Sequence, residues 1–120
     1  MNTTIKGIGV DVVDLERIRN TDERFAKRVL SPEEYAHYET IENPERRVAF
    51  LAGRFAVKEA FTKAWGGFDT SLNFRDVSVM PDAKGRPVLR SPLNQGHTIH
   101  VSITHGETIA IGYVLIEKGD

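Results

Sequence analysis

"GRFAVKEAFTKAW", residues 53–65, reads as helix from end to end, and nearly every side of that helix is apolar. The pattern extends back to about Glu45 and forward to Trp65, with Gly66-Gly67 as the stop. Steps of about 100° per residue sort its faces. Ala49, Gly53, Ala56, Val57, Ala60 and Ala64 form a stripe of small residues suited to close contact with a sheet or helix. Phe50, Phe61 and Trp65 form a bulky stripe beside it, and Arg47, Arg54, Lys58 and Thr62 a polar edge. Glu59 falls between that edge and the core, near Ala52, Phe55 and Lys63. A helix this apolar belongs at the centre of a domain, and a central carboxylate needs a partner.

On either side of this helix the periodicity changes. "IKGIGVDVV" (5–13) is a short apolar run with β-branched residues and two glycines, and it reads as a buried strand. "DLERIRN" follows as the first turns of a helix, with Asp14 as its N-cap, and "DERFAKRVL" as a second short helix. "SPEEYAHYETI" opens with a helix start, Ser31 capping and Pro32 in the first turn. After the long helix, "RDVSVM" and "RPVL" flank "PDAKG", a hairpin signal. "HTIHVSIT" puts Ile99, Val101 and Ile103 on one face, with Thr98, His100, Ser102 and Thr104 on the other. "TIAIGYVLIE" is apolar on both faces, and its second cover is expected from another subunit. The class is α+β: a long central helix and shorter helices on a mainly antiparallel sheet.

The 120 residues fit one domain, 1–120, with no repeat or linker. A net charge of -1 argues against wholesale nucleic-acid binding. With no cysteine, disulfides and thiolate metal sites are excluded. The N-terminal residues lack a signal pattern and no apolar run is long enough to span a bilayer, so the cytoplasm is the expected compartment.

Glu59 alone admits an ordinary reading, an i,i+4 pair with Lys63. Asp11 shifts the balance, because it interrupts an apolar strand where aspartate is disfavoured. An edge position, or a bulge marked by Gly7 and Gly9, is the competing explanation. Two carboxylates in apolar surroundings repel unless a cation lies between them. Magnesium suits such a site, since it takes one or two carboxylates and completes its shell with water and substrate phosphates. Arg54, Lys58 and Lys63 on the same helix are then candidates to hold those phosphates. Other chemistry is thin. "GIGVDV" lacks the third glycine of the dinucleotide fingerprint, and no phosphate loop is present. The odd spacings of His97, His100 and His105 argue against a three-histidine site. His105, in "SITHGE", stands where a strand enters a turn.

"GIGVDVVDLERI", "FLAGRFAVKEAFTKAWG" and "HVSITHGE" resemble, in order and spacing, the holo-acyl-carrier-protein synthases, the short stand-alone 4′-phosphopantetheinyl transferases. The resemblance runs from the first strand to the final hairpin and includes "DAKGRPV". It implies transfer of the phosphopantetheine arm of coenzyme A to a serine of apo acyl carrier protein, releasing adenosine 3′,5′-bisphosphate. It implies Asp11 and Glu59 as magnesium ligands; for the chemistry itself, Lys63 is the candidate to stabilise the developing charge or the leaving group, and a metal-bound water or Glu59 acting through one is the candidate base. Arg54, Lys58, Lys63, Ser102, Thr104 and His105 match coenzyme-binding positions, and three subunits are expected to form a ring with sites at the interfaces. This chain departs from the family at "WGGFDT", where Gly-x-Gly is common, and at "TIAIG", where an aromatic is common.

The carrier protein is acidic, as the family implies. "RIRNTDERFAKR" offers Arg17, Arg24 and Arg28 as its docking residues. Arg17 and Arg24 share a face if the chain between them stays helical. Two alternatives compete. A non-enzymatic binding module explains the arginines and the apolar last strand but not Asp11 and Glu59. A transferase for polyketide or peptide assembly is commonly about twice this length, so the size favours the form that serves fatty acid biosynthesis.

Overall fold

The computed structural model describes residues 2–66 and 72–119. Chain order is β1 (Thr3–Asp14), α1 (Leu15–Arg19), α2 (Glu23–Val29), α3 (Pro32–Thr40), α4 (Pro44–Ala64), a one-turn 3₁₀ helix (Phe74–Asp76), β2 (Ser78–Pro81), β3 (Pro87–Arg90), β4 (His97–His105) and β5 (Ile109–Gly119). Strands β1, β5 and β4 form an antiparallel sheet in that order, and β2–β3 form a separate hairpin. The α+β class and the antiparallel sheet are as the sequence indicates. Gly66 takes φ +101 at the helix stop, while Gly67 and the rest of "GFDT" lie outside the described residues.

Small residues bring α4 onto the sheet. An added Cβ on Gly7 would stand 1.8 Å from the Ala64 carbonyl oxygen, one on Gly9 1.9 Å from that of Ala60, and one on Gly112 2.5 Å from the Val57 nitrogen. The glycines of "GIG" therefore serve close approach of the helix. The bulge lies one residue earlier, where the register slips between Ile5 and Gly7. Ala56, Val57, Ala60, Phe61, Val114 and Ile116 are fully buried along this seam. Burial of such side chains contributes roughly 25 cal/mol per Å² of apolar surface and dominates the stability of the unit.

Three expectations change. β1 is an edge strand, with Ile8, Val10 and Val12 exposed by 54%, 53% and 60% on the face turned from α4. Asp14 precedes α1 in extended conformation, but its side chain makes no capping bond; the Leu15 N–H bonds the Thr108 carbonyl instead. Lys58 leaves the polar edge altogether. Its ammonium is fully buried and donates to Glu34 Oε1 (2.5 Å) and to the carbonyls of Val29 (2.7 Å) and Phe74 (3.0 Å). Its helical position lies off the sheet-facing stripe, and α2, α3 and the 3₁₀ turn close over it. Glu34 is equally buried and belongs to a capping box with Ser31 at the start of α3. A charge removed from water this completely persists only with such compensation.

Candidate active site

Asp11 lies in the row of β1 that faces α4, between Gly9 and Val13, because strand residues two apart share a face. With glycine at positions 7 and 9, α4 comes close enough for its flank to reach the aspartate. Lys63 Nζ donates to Asp11 Oδ1 at 2.8 Å and to the Val10 carbonyl at 3.2 Å. Glu59, one turn earlier, is half-buried, and among the described residues it has no hydrogen-bond or ion-pair partner. Burial pushes its carboxyl above the usual range, the charge of Asp11 adds to that, and Lys63 and Arg17 oppose it. The two acids are thus close enough to repel. The i,i+4 pairing of Glu59 with Lys63 does not form, because the lysine turns to the aspartate.

The donor set suits a hard cation. Two carboxylates lie partly buried between β1 and α4, and the Lys63 ammonium already pairs with one of them. Among the described residues no three acids or histidines converge, so a cation here would take at most two protein carboxylates and fill its remaining positions with water and substrate. Magnesium fits that arrangement, whereas a closed four-ligand zinc site does not.

Arg54 occupies the opposite flank of α4, because five residues turn the helix through about 140°. Its guanidinium stacks on Phe50 at 4.0 Å, and its Nε donates to the Val79 carbonyl at 3.1 Å. Burial draws its pKa below the ordinary arginine range, with Glu34 opposing. Arg54, Pro81, Gly85, Pro87, Ile103 and His105 line a cleft of about 250 Å³. His105 also borders a second cleft of about 300 Å³ with Arg46 and Gly106. Ser102 and Thr104 lie on the far face of the sheet, paired with Tyr113 and Ile111, and so turn away from His105.

The candidate residues therefore fall into two separate groups. Asp11, Glu59 and Lys63 stand at the β1 edge, and Arg54 and His105 at the β4 edge. Asp11 pairs with Gly112, and Gly112 with Ile103, so two strand spacings, about 10 Å, separate the edges, with α4 lying between. Lys58 belongs to neither group, and its buried ammonium, fully engaged by Glu34 and two carbonyls, does not fit the coenzyme-binding role expected for it.

Of the arginines, Arg17 lies over the Phe55 ring at 5.4 Å, near enough to Glu59 for its charge to be felt there. Arg24 and Arg28 are exposed on α2. Asn20, Thr21 and Asp22 interrupt the helix, so the continuous face joining Arg17 to Arg24 does not exist. Sequence reasoning missed Glu34, whose Ser-Pro-Glu-Glu context signals only a helix start, and it missed the Lys63–Asp11 bond.

Residues 7–114 match the sequence pattern of the 4′-phosphopantetheinyl transferase superfamily. The holo-[acyl-carrier-protein] synthase of Listeria innocua is 46% identical over 118 residues, covering 95% of this chain and 99% of that one. That of Bacillus velezensis is 45% identical over 118 residues, covering 95% and 97%. The crystal structure of the Bacillus anthracis holo-(acyl-carrier-protein) synthase in complex with CoA (3′,5′-ADP) superimposes with a TM-score of 0.88 at 35% identity, covering 96% of this chain and 98% of that one.

Proposed function

The chain belongs to the 4′-phosphopantetheinyl transferase superfamily, and from that we infer that it is a holo-acyl-carrier-protein synthase. It transfers the 4′-phosphopantetheine group of coenzyme A to a serine of apo acyl carrier protein, leaving adenosine 3′,5′-bisphosphate. The observation that carries the mechanism is the juxtaposition of Asp11, Glu59 and Lys63 where α4 meets β1. Phosphoryl transfer needs charge neutralisation and in-line placement more than covalent help. Asp11 and Glu59 would hold magnesium, and the ion would supply positive charge to polarise the coenzyme's diphosphate. Lys63 Nζ moves from Asp11 Oδ1 to the diphosphate oxygens and stabilises the charge that develops as the bond to the leaving group breaks. Glu59 is the group we assign to take the serine Oγ proton, through a water.

Taken as half-sites, the two groups support a shared site. Arg54 and His105 of one copy, facing Asp11, Glu59 and Lys63 of the next, complete a single coenzyme site, and Ser102 and Thr104 come to it from the joined sheet faces. Exposed Ile8, Val10, Val12 and Tyr113 are the surface those faces would bury, which supports a homotrimer of single-domain chains. Arg17, Arg24 and Arg28 form the docking side for the carrier. Among the described residues no helix is long and apolar enough to cross a membrane. We place the activity in the cytoplasm, in support of fatty acid biosynthesis.

The test is incubation with coenzyme A, magnesium and apo acyl carrier protein, with the carrier weighed by mass spectrometry. A phosphopantetheine adduct is expected, lost with Asp11→Ala or Glu59→Ala while the circular dichroism spectrum persists, and lost when EDTA removes magnesium. Wild-type rates from both variants would refute the assignment.

A further inference from the structure

The buried pair of Lys58 and Glu34 takes no part in the chemistry above, yet Glu34 is joined through Val79 to Arg54. Glu34 Oε1 accepts from the Ser31 N–H at 2.9 Å and from Lys58 Nζ at 2.5 Å, and Oε2 accepts from the Val79 N–H at 2.7 Å. The carbonyl of the same Val79 accepts from Arg54 Nε at 3.1 Å. In an extended strand the N–H and C=O of one residue point to the same edge. Val79 therefore turns both groups to the edge of β2 that β3 leaves unpaired, one toward Glu34 and the other toward Arg54. Lys58 and Arg54 are also neighbours, four residues apart on α4, where like charges repel. The Glu34 carboxylate lies beside both cations and offsets that repulsion. Engaging Nε on Val79 and stacking the guanidinium on Phe50 leaves the two Nη groups of Arg54 as the free ends.

We propose that Glu34 is the positioning residue for Arg54. It holds the free edge of β2 at Val79 and compensates Lys58, and so aims the arginine's Nη groups into the cleft lined by Pro81, Ile103 and His105. The arrangement gives a fully buried carboxylate on α3 a part in coenzyme affinity without contact to the coenzyme. This rests on the reading of Arg54 as a coenzyme ligand.

The experiment separates the two ideas. Steady-state kinetics on the full chain with magnesium are measured for Arg54→Ala, Glu34→Gln and the two combined, varying coenzyme A and apo carrier in turn. Arg54→Ala is expected to raise KM for coenzyme A at least tenfold; no rise would sink the reading of Arg54 and leave Glu34 without a role. Given that rise, Glu34→Gln is expected to raise KM for coenzyme A three- to tenfold, with KM for the carrier and kcat within twofold, and to add less than twofold in the Arg54→Ala background. An unchanged KM, a fall in kcat alone, or a full multiplicative effect in the combined variant overturns the positioning role. Should Glu34→Gln fail to fold, Glu34→Gln/Lys58→Met removes the unpaired ammonium and is held to the same criteria. In the unsubstituted enzyme the Arg54 Nε–H, followed by ¹⁵N NMR, is expected to exchange with water at least tenfold more slowly than that of exposed Arg28. Equal exchange overturns the proposal without any variant.

Discussion

Gly9→Ala tests whether close contact between helix and strand builds the site. The new Cβ would sit 1.9 Å from the Ala60 carbonyl oxygen, where ordinary contact begins near 3.4 Å. Backbone cannot rotate out of the way as a side chain does, so β1 and α4 must part by about 1.5 Å at this point. Overpacking of this kind costs about 3 kcal/mol, which lowers the melting temperature of a chain this size by about 10 °C. Asp11 is two residues away on the same face, and the separation pulls it from Lys63 Nζ, now at 2.8 Å, and from Glu59. A misplacement of about 1 Å between reacting groups costs on the order of 100-fold in rate. Thermal unfolding followed by circular dichroism, together with carrier mass-shift kinetics below the new melting temperature, reads both effects. Gly119→Ala, with open space around the added Cβ, serves as the control and should change neither. If Gly9→Ala keeps the wild-type melting temperature and rate, the seam does not set the geometry and the reasoning fails.

Three further outcomes follow from the structure. Glu59 is raised in the folded state, so its ionisation costs stability as pH climbs from the unfolded carboxylate range, about 4.3, through the higher folded value. Glu59→Gln should therefore melt higher than wild type at pH 7.5 in EDTA and lose that advantage below about pH 4; parallel melting curves from pH 4 to 8 would contradict the repulsion. Val10→Arg puts a charge on the exposed β1 face and should keep the proposed trimer from assembling, with activity lost alongside, as read by sedimentation of both forms and the carrier assay; a fully active monomer would remove the shared site. Arg17→Glu should raise KM for the carrier about tenfold and leave KM for coenzyme A within twofold, and equal effects on both would count against docking there.

Local pattern was enough to determine much of this protein. The small-residue stripe of α4, the alternation of β4, the hairpin around "DAKG" and the incongruity of Asp11 and Glu59 in apolar runs all follow from periodicity and burial, which are properties of neighbouring residues. What the sequence could not decide was which charge meets which. Lys63 has Glu59 four residues away, but the glycines at 7 and 9 bring Asp11 within reach and the lysine turns there. Lys58 and Arg54 sit on one polar edge in any helical projection. Only the packing of α2, α3 and the 3₁₀ turn over that edge buries the first, and Glu34 becomes its counterion from 24 residues away. Arg17 and Arg24 lose their common face to a three-residue break. Hydrophobic period is written along the chain, whereas the pairing of charges depends on distances and dehydration that exist only once the elements have packed.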